Sequence, residues 1–161
     1  VANEDVSQAI VVIGRIYTPF KDPAHLPIQG TATDARGTVA LLPQYAGGLA
    51  DLDGFDRVWL LYLRPRGGPA ELTVVPRLDE KPHGVFATRS PQRPSAIGLS
   101  CVRLLEVTGD TLQVAGVDML DDLPLIDIKP YVPRLDSHPD SWAGWLENRF
   151  PGLRAWKPEK G

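Results

Sequence analysis

The 16 prolines and 15 glycines of this chain are spread through it without low-complexity runs. That is the feature that most restricts what it can become. Each proline fixes φ and removes a backbone donor, and each glycine favours a turn, so many short strands suit the chain better than long helices. AIVVIGRIY is β-branched and bounded by Thr18-Pro19, and GTVALL, RVWLLYL and ELTVVPR follow at the spacing of a strand meander. SCVRLLEV and TLQVAGVDML flank Thr108-Gly109-Asp110 and predict an antiparallel hairpin. VFAT and PLIDIKPYVP read as further strands, the latter stopped by Pro130 and Pro133. QYAGGLADLDGF predicts a helical turn before the strand at Arg57. In DSWAGWLENRF, Asp140 or Ser141 offers an N-cap, and Trp142, Trp145, Leu146 and Arg149 fall near one helical face. The expected fold is mainly β: a single-domain antiparallel barrel over residues 1–161, its core at about 10–133. A short C-terminal helix at about 140–150 would carry the tryptophans, either as a base-stacking platform or, as their helical spacing favours, as a lid on an open barrel end.

A chain of 161 residues can bury a sizeable core without covalent staples. Its formal charge of −3 argues against coating nucleic acid by bulk charge, so an RNA partner would be met by a local basic stripe. Arg64, Arg66, Arg77, Lys81, Arg89, Arg93 and Arg103 are close enough in sequence to form one, or to be scattered solvated charges. Cys101 is the only cysteine, which excludes an intramolecular disulfide and a multi-cysteine zinc site; in a predicted strand it reads as a small buried hydrophobe. No apolar run approaches the roughly 18 residues that span a bilayer, and VANEDVSQ lacks the order of a signal peptide. A soluble, cytoplasmic protein is expected.

Several chemistries find no support. There is no Gly-rich nucleotide fingerprint, His25, His83 and His138 are far apart with no metal-ligand spacing, and no G-x-S-x-G elbow occurs. Two polar segments stand out instead. In GVFATRSPQRPSAIGLS, Pro91 and Pro94 stiffen a non-helical loop that carries Arg89 and Arg93, either as a surface turn or as a preorganised anion clamp. In GVDMLDDLPLIDIKPY, Ile126 and Ile128 alternate with Asp127 and Lys129, so one strand face is apolar and the other projects a carboxylate beside an ammonium. Tyr131 extends that polar face if the alternation continues.

These segments resemble the TrmO, or TsaA-like, family of transfer-RNA methyltransferases, which use S-adenosylmethionine on a β-barrel instead of a Rossmann sheet. IGRIYTPFKDPAHLPIQG is similar to the family opening and LDGFDRVWLLYL to its Gly-Phe strand. The two polar segments are similar to its most specific signatures. The resemblance implies a homodimer with the cofactor near the interface. It also implies methyl transfer to the exocyclic amine of a threonylcarbamoyl-modified adenosine beside the anticodon. Carried over by position, cofactor contacts fall on Pro27, Ile28 and Gln29, on Arg64 and Pro65, on Arg89, on Leu99, and on Asp118, Met119, Leu120 and Asp121. Arg89 would meet the cofactor carboxylate, and an aspartate would accept from its ribose or amino group. Methyl transfer from a sulfonium is an in-line displacement that needs aim more than activation, and no metal. The amine sheds a proton as it is methylated, so Asp127, or Tyr131 tuned by Lys129, is the expected acceptor.

The chain departs from the family pattern at Ser95-Ala96, at Asp56-Arg57, at Arg64-Pro65 where Phe-His is usual, and at Asp121-Asp122-Leu123-Pro124 where Asp-Gly-Thr-Pro is usual. Two other readings therefore stand beside transfer-RNA methylation. One is a methyltransferase for a small molecule, and the other a non-catalytic module binding S-adenosylmethionine or RNA.

Overall fold

A computed structural model of the chain describes residues 9–27, 33–65 and 68–149. Eight strands occur among them: β1 Gly14–Tyr17, β2 Arg36–Leu41, β3 Arg57–Leu63, β4 Thr73–Val74, β5 His83–Gly84, β6 Ile97–Thr108, β7 Thr111–Ala115 and β8 Leu123–Pro130. Two one-turn helices follow, α1 Pro133–Asp136 and α2 Leu146–Arg149. The described residues fall into two compact units, one up to Pro65 together with Ile97–Tyr131, the other from Gly68 to Ala96 together with those from Val132 onward.

The first unit is a closed antiparallel barrel in the order β1-β2-β7-β6-β3-β8. Strict alternation builds it: Val58, Leu60 and Tyr62 of RVWLLYL point inward, while Trp59, Leu61 and Leu63 lie half-buried on the outer wall. Val39, Val102, Leu112, Val114 and Leu125 meet them from the other strands. The hairpin forms where the sequence predicts it, with β6 ending at Thr108 and β7 starting at Thr111. Gly98 lies opposite Tyr62 in the β3–β6 register, and a Cβ there would collide with the Tyr62 ring, so the Ile-Gly pair gives the phenol its room.

Three strands are shorter than the sequence predicts. β1 begins only at Gly14 because its last partner on β2 is Leu41; Ile10 and Val11 lie beyond the ladder and are exposed. β7 stops at Ala115, since Gly116 turns the chain at φ +80, a conformation few side chains adopt. In the second unit ELTVVPR supplies only Thr73–Val74, paired with His83–Gly84; Pro76 has no N–H to extend the ladder. VFAT is a 3₁₀ turn at Val85–Ala87, not a strand, because Thr88 turns both its N–H and its hydroxyl back onto the Val85 carbonyl.

The C-terminal helix is also shorter than 140–150, running from Leu146 to Arg149. Glu147 accepts from the Ala143 N–H at 3.0 Å and Ser141 N–H bonds to His138, so residues 138–145 form turns, not a first helical turn. Trp145 packs within its own unit. It stacks on His83 at 4.3 Å between ring centroids and donates Nε1–H to the Ala87 carbonyl at 2.8 Å. Asp79 completes this cluster, 3.0 Å from His83 Nε2 and 3.5 Å from Arg149 Nε. The His83 hydrogen bond does most to hold its carboxyl below the usual range. Among the described residues, no helix is long and apolar enough to cross a membrane.

Candidate functional site

At one end of the barrel, the segment joining β7 to β8 and the end of β3 frame an open pocket of about 540 Å³. Its lining mixes charge with apolar surface: Arg15, Lys21, Arg64, Asp121 and Asp122 beside Leu63, Pro65, Leu120, Leu123 and Pro124. Its size and its mixture of apolar and charged residues are those of a small-molecule site.

The walls are fixed by the turn after β1. Thr18 is buried; its N–H donates to Asp121 Oδ1 at 2.9 Å and its hydroxyl to the Met119 carbonyl at 2.9 Å. Asp121 N–H bonds back to Phe20 O at 2.8 Å, and Lys21 Nζ lies 3.5 Å from Asp121 Oδ2. The Thr18 hydrogen bond outweighs partial burial and, with Lys21, holds the Asp121 carboxyl below its ordinary value. Arg15 donates to both the side chain and the carbonyl of Asp122, at 2.9 and 3.0 Å. Asp122 takes φ +56, the left-handed conformation that the usual glycine would adopt freely and that aspartate tolerates better than most residues. The departure from Asp-Gly is thereby accommodated, with Arg15 holding the substituted side chain. Arg64 has no ion-pair partner among the described residues and is the cation left available to a ligand.

Below the pocket runs a polar chain inside the barrel. Ser100 donates its single hydroxyl hydrogen to Asp118 Oδ1 at 2.5 Å, so the Tyr62 hydroxyl, 3.1 Å from Ser100 Oγ, is the donor in the other bond. Burial pushes the Tyr62 phenol pKa up despite the Ser100 bond, and the Asp118 charge adds to that shift.

The structure thus gathers Arg64, Pro65, Leu120 and Asp121 in one pocket, with Asp118 and Met119 just behind: Asp118 half-buried, Met119 buried. Pro27 is half-buried beyond the 3₁₀ turn Pro23–His25 and does not line the pocket, while Ile28 and Gln29 lie outside the described residues. Leu99 sits on the outer wall, 59% exposed. Cys101 shares that outward face, half-buried across from Trp59, so it is not the buried hydrophobe the sequence predicts; Ser100 is the inward residue.

Arg89 and Arg93 belong to the second unit. Arg93 donates to the carbonyls of Val85 and Thr88 at 3.0 and 2.8 Å and lies over the Phe86 ring, so it braces the loop and is not half of a clamp. Arg89 is exposed, with no partner among the described residues. The predicted basic stripe is divided between the units; Arg103 pairs with Asp34, and Arg66 lies outside the described residues.

Asp127 and Lys129 project together from the outer wall as an ion pair at 2.8 Å. A bulge at Ile126 makes this possible: Leu61 pairs with Asp127 and Tyr62 with Leu125, so Leu125 and Ile128 pack against the core side while Asp127 faces out. Asp127 flanks Leu61 on the side opposite Leu99, and Tyr131 meets Trp59 edge-on at 5.7 Å. None of these lines the pocket. Arg15 and Lys21 were not among the residues the sequence pointed to; they reach the pocket because β1 pairs with β8, which sets Arg15 beside Pro124.

Residues 15–137 match the model of the tRNA-methyltransferase O N-terminal domain. A probable S-adenosyl-L-methionine-binding protein of Pyrococcus abyssi is 47% identical over 142 residues, 88% of this chain and 77% of that one. The tRNA (adenine(37)-N6)-methyltransferase of Escherichia coli is 35% identical over 147 residues, 84% of this chain and 63% of the enzyme. A crystal structure of TrmO from Pseudomonas aeruginosa superposes with a TM-score of 0.75 at 35% identity, covering 88% of this chain and 63% of that one. The chain therefore spans less than two thirds of both the Escherichia coli enzyme and the crystallised TrmO.

Proposed function

The chain belongs to the tRNA-methyltransferase O family, and from that premise we propose that it is an S-adenosylmethionine-dependent methyltransferase acting on transfer RNA. The finer reading is methylation at N6 of a threonylcarbamoyl-modified adenosine next to the anticodon, in the cytoplasm. One observation carries the cofactor assignment: the pocket brings Arg64, unpaired among the described residues, together with an Asp121 carboxylate that Thr18 fixes in place.

The pocket residues fit the group. The apolar flank of Leu63, Leu120, Leu123 and Pro65 offers a surface for the adenine. Arg64 would meet the α-carboxylate in the pocket, the task the sequence reading gives Arg89, and Asp121 would accept from the ammonium. When bound, S-adenosylmethionine supplies a methyl group on a sulfonium, already activated for displacement. Asp127 is the proposed acceptor of the proton that the exocyclic amine sheds, with Lys129 at 2.8 Å orienting the carboxylate. Asp127 lies on the outer wall beside Leu61 and outside the pocket, so this role requires the acceptor adenosine to lie along that wall. Dimerisation belongs to the same proposal, and exposed Ile97 and Leu99 on β6 give a second subunit apolar surface to cover.

Calorimetric titration with S-adenosylmethionine tests the pocket. The wild type is expected to bind it, and Arg64→Met to weaken binding about ten- to a hundredfold, the worth of a charge-assisted hydrogen bond. Absence of binding by the wild type would remove the cofactor from the account.

A further inference from the structure

On the other side of the Thr18 turn lies a second groove of about 280 Å³, and we propose that it holds one unstacked nucleotide of a single-stranded RNA segment. The proposal rests on the reading of the chain as a transfer-RNA enzyme and concerns a surface outside the cofactor pocket. Strand register builds the groove. Tyr17 of β1 pairs with Thr38 of β2, which pairs with Gln113 of β7, so an aromatic ring, a hydroxyl and an amide stand in one row on the outer wall. Arg36 is two residues before Thr38 and shares its face.

Each member has the state a nucleotide site needs. Tyr17 is 43% exposed, although its barrel neighbours Ile16 and Val39 are fully buried. Thr38 donates its hydroxyl to Gln113 Oε1 at 3.1 Å, which orients the amide and leaves its two N–H donors available to a base edge. Arg36 is exposed and has no ion-pair or hydrogen-bond partner among the described residues, whereas Arg15, Lys21, Arg103 and Lys129 all face carboxylates. The row continues to Glu106, opposite Gln113, whose carboxylate is engaged by the Thr108 hydroxyl and does not line the groove.

A stacking ring, an oriented amide and an unpaired guanidinium are the parts with which proteins take single-stranded bases and their phosphates. The groove lies at the lower edge of the range for small-molecule sites, a size that suits one base with its phosphate. Thr18 lines this groove and hydrogen-bonds Asp121 of the other, so a nucleotide on Tyr17 would lie one turn from the cofactor pocket and register the RNA against it.

Fluorescence anisotropy with a fluorescein-labelled, adenosine-containing single-stranded oligoribonucleotide tests this, with AMP as competitor and S-adenosylmethionine titrated in parallel by calorimetry. Tyr17→Ala is expected to weaken oligonucleotide binding about 5- to 100-fold, and Tyr17→Phe to keep it. Arg36→Ala should lower the slope of log affinity against log salt by about 0.7. Both Arg36→Ala and Gln113→Ala are exposed changes that leave the barrel folded, so they remain decisive if Tyr17→Ala does not fold. Unchanged oligonucleotide affinity in Arg36→Ala and Gln113→Ala, no displacement of the oligonucleotide by excess AMP, or no oligonucleotide binding by the wild type would each overturn the groove. Cofactor affinity is expected to be unaltered in all these variants, so its loss from the wild type would instead strike the methyltransferase reading.

Discussion

The backbone N–H of Thr18 donates to Asp121 Oδ1 across 2.9 Å, joining residues far apart in sequence. The bond ties the turn after β1 to the segment before β8, and one wall of the pocket depends on it. Thr18 also spends its hydroxyl on Met119 O and accepts from Phe20 N–H at 3.2 Å. Thr18→Val keeps the shape and the backbone bond but strands both of those groups, so it is expected to destabilise the protein by about 1–3 kcal/mol in denaturant unfolding.

The same bond gives a pH signature. Its folded-state value depressed, Asp121 contributes stability that is present above its unfolded value and lost as pH falls through the folded one. Wild type is therefore expected to melt above Asp121→Asn from pH 7 down to 5, with the gap closing below about pH 4. A gap that persists undiminished at pH 3 would contradict the assignment.

Asp122, at φ +56, predicts a pair of opposite results. Asp122→Gly removes the left-handed strain and the Arg15 pair together, so stability should change by less than about 1 kcal/mol. Asp122→Val places a β-branched residue in that conformation and should cost about 1–2 kcal/mol in the same unfolding measurement.

Much of the barrel was legible because its strands alternate. RVWLLYL is a strand over the predicted residues, and the hairpin turns at Gly109. What alternation cannot report is where a partner strand ends, and so Ile10, Val11 and most of ELTVVPR lie outside the ladders. The cofactor pocket was half legible. Asp121 and Leu120 sit in a recognisable segment, but Arg15 and Lys21 reach it only through the barrel's closure between β1 and β8, a relationship between distant residues that no local pattern carries. Arg93 shows the converse, a motif arginine whose hydrogen bonds are spent on its own loop.

The proposed base is tested by single-turnover methyl transfer. Asp127→Asn should slow that step by about a hundredfold or more and leave cofactor affinity unchanged, the signature of a lost general base and not of a lost binding contact. An unchanged rate with intact cofactor binding would return Asp127 to its ion pair with Lys129 and nothing more.

The central claim is tested most directly by incubating the protein with methyl-labelled S-adenosylmethionine and transfer RNA that either carries or lacks the threonylcarbamoyl group, then digesting the RNA to nucleosides. The account predicts label at N6 of the modified adenosine and none in the RNA that lacks the modification. Label absent from both transfer RNAs, with the cofactor demonstrably bound, would contradict it.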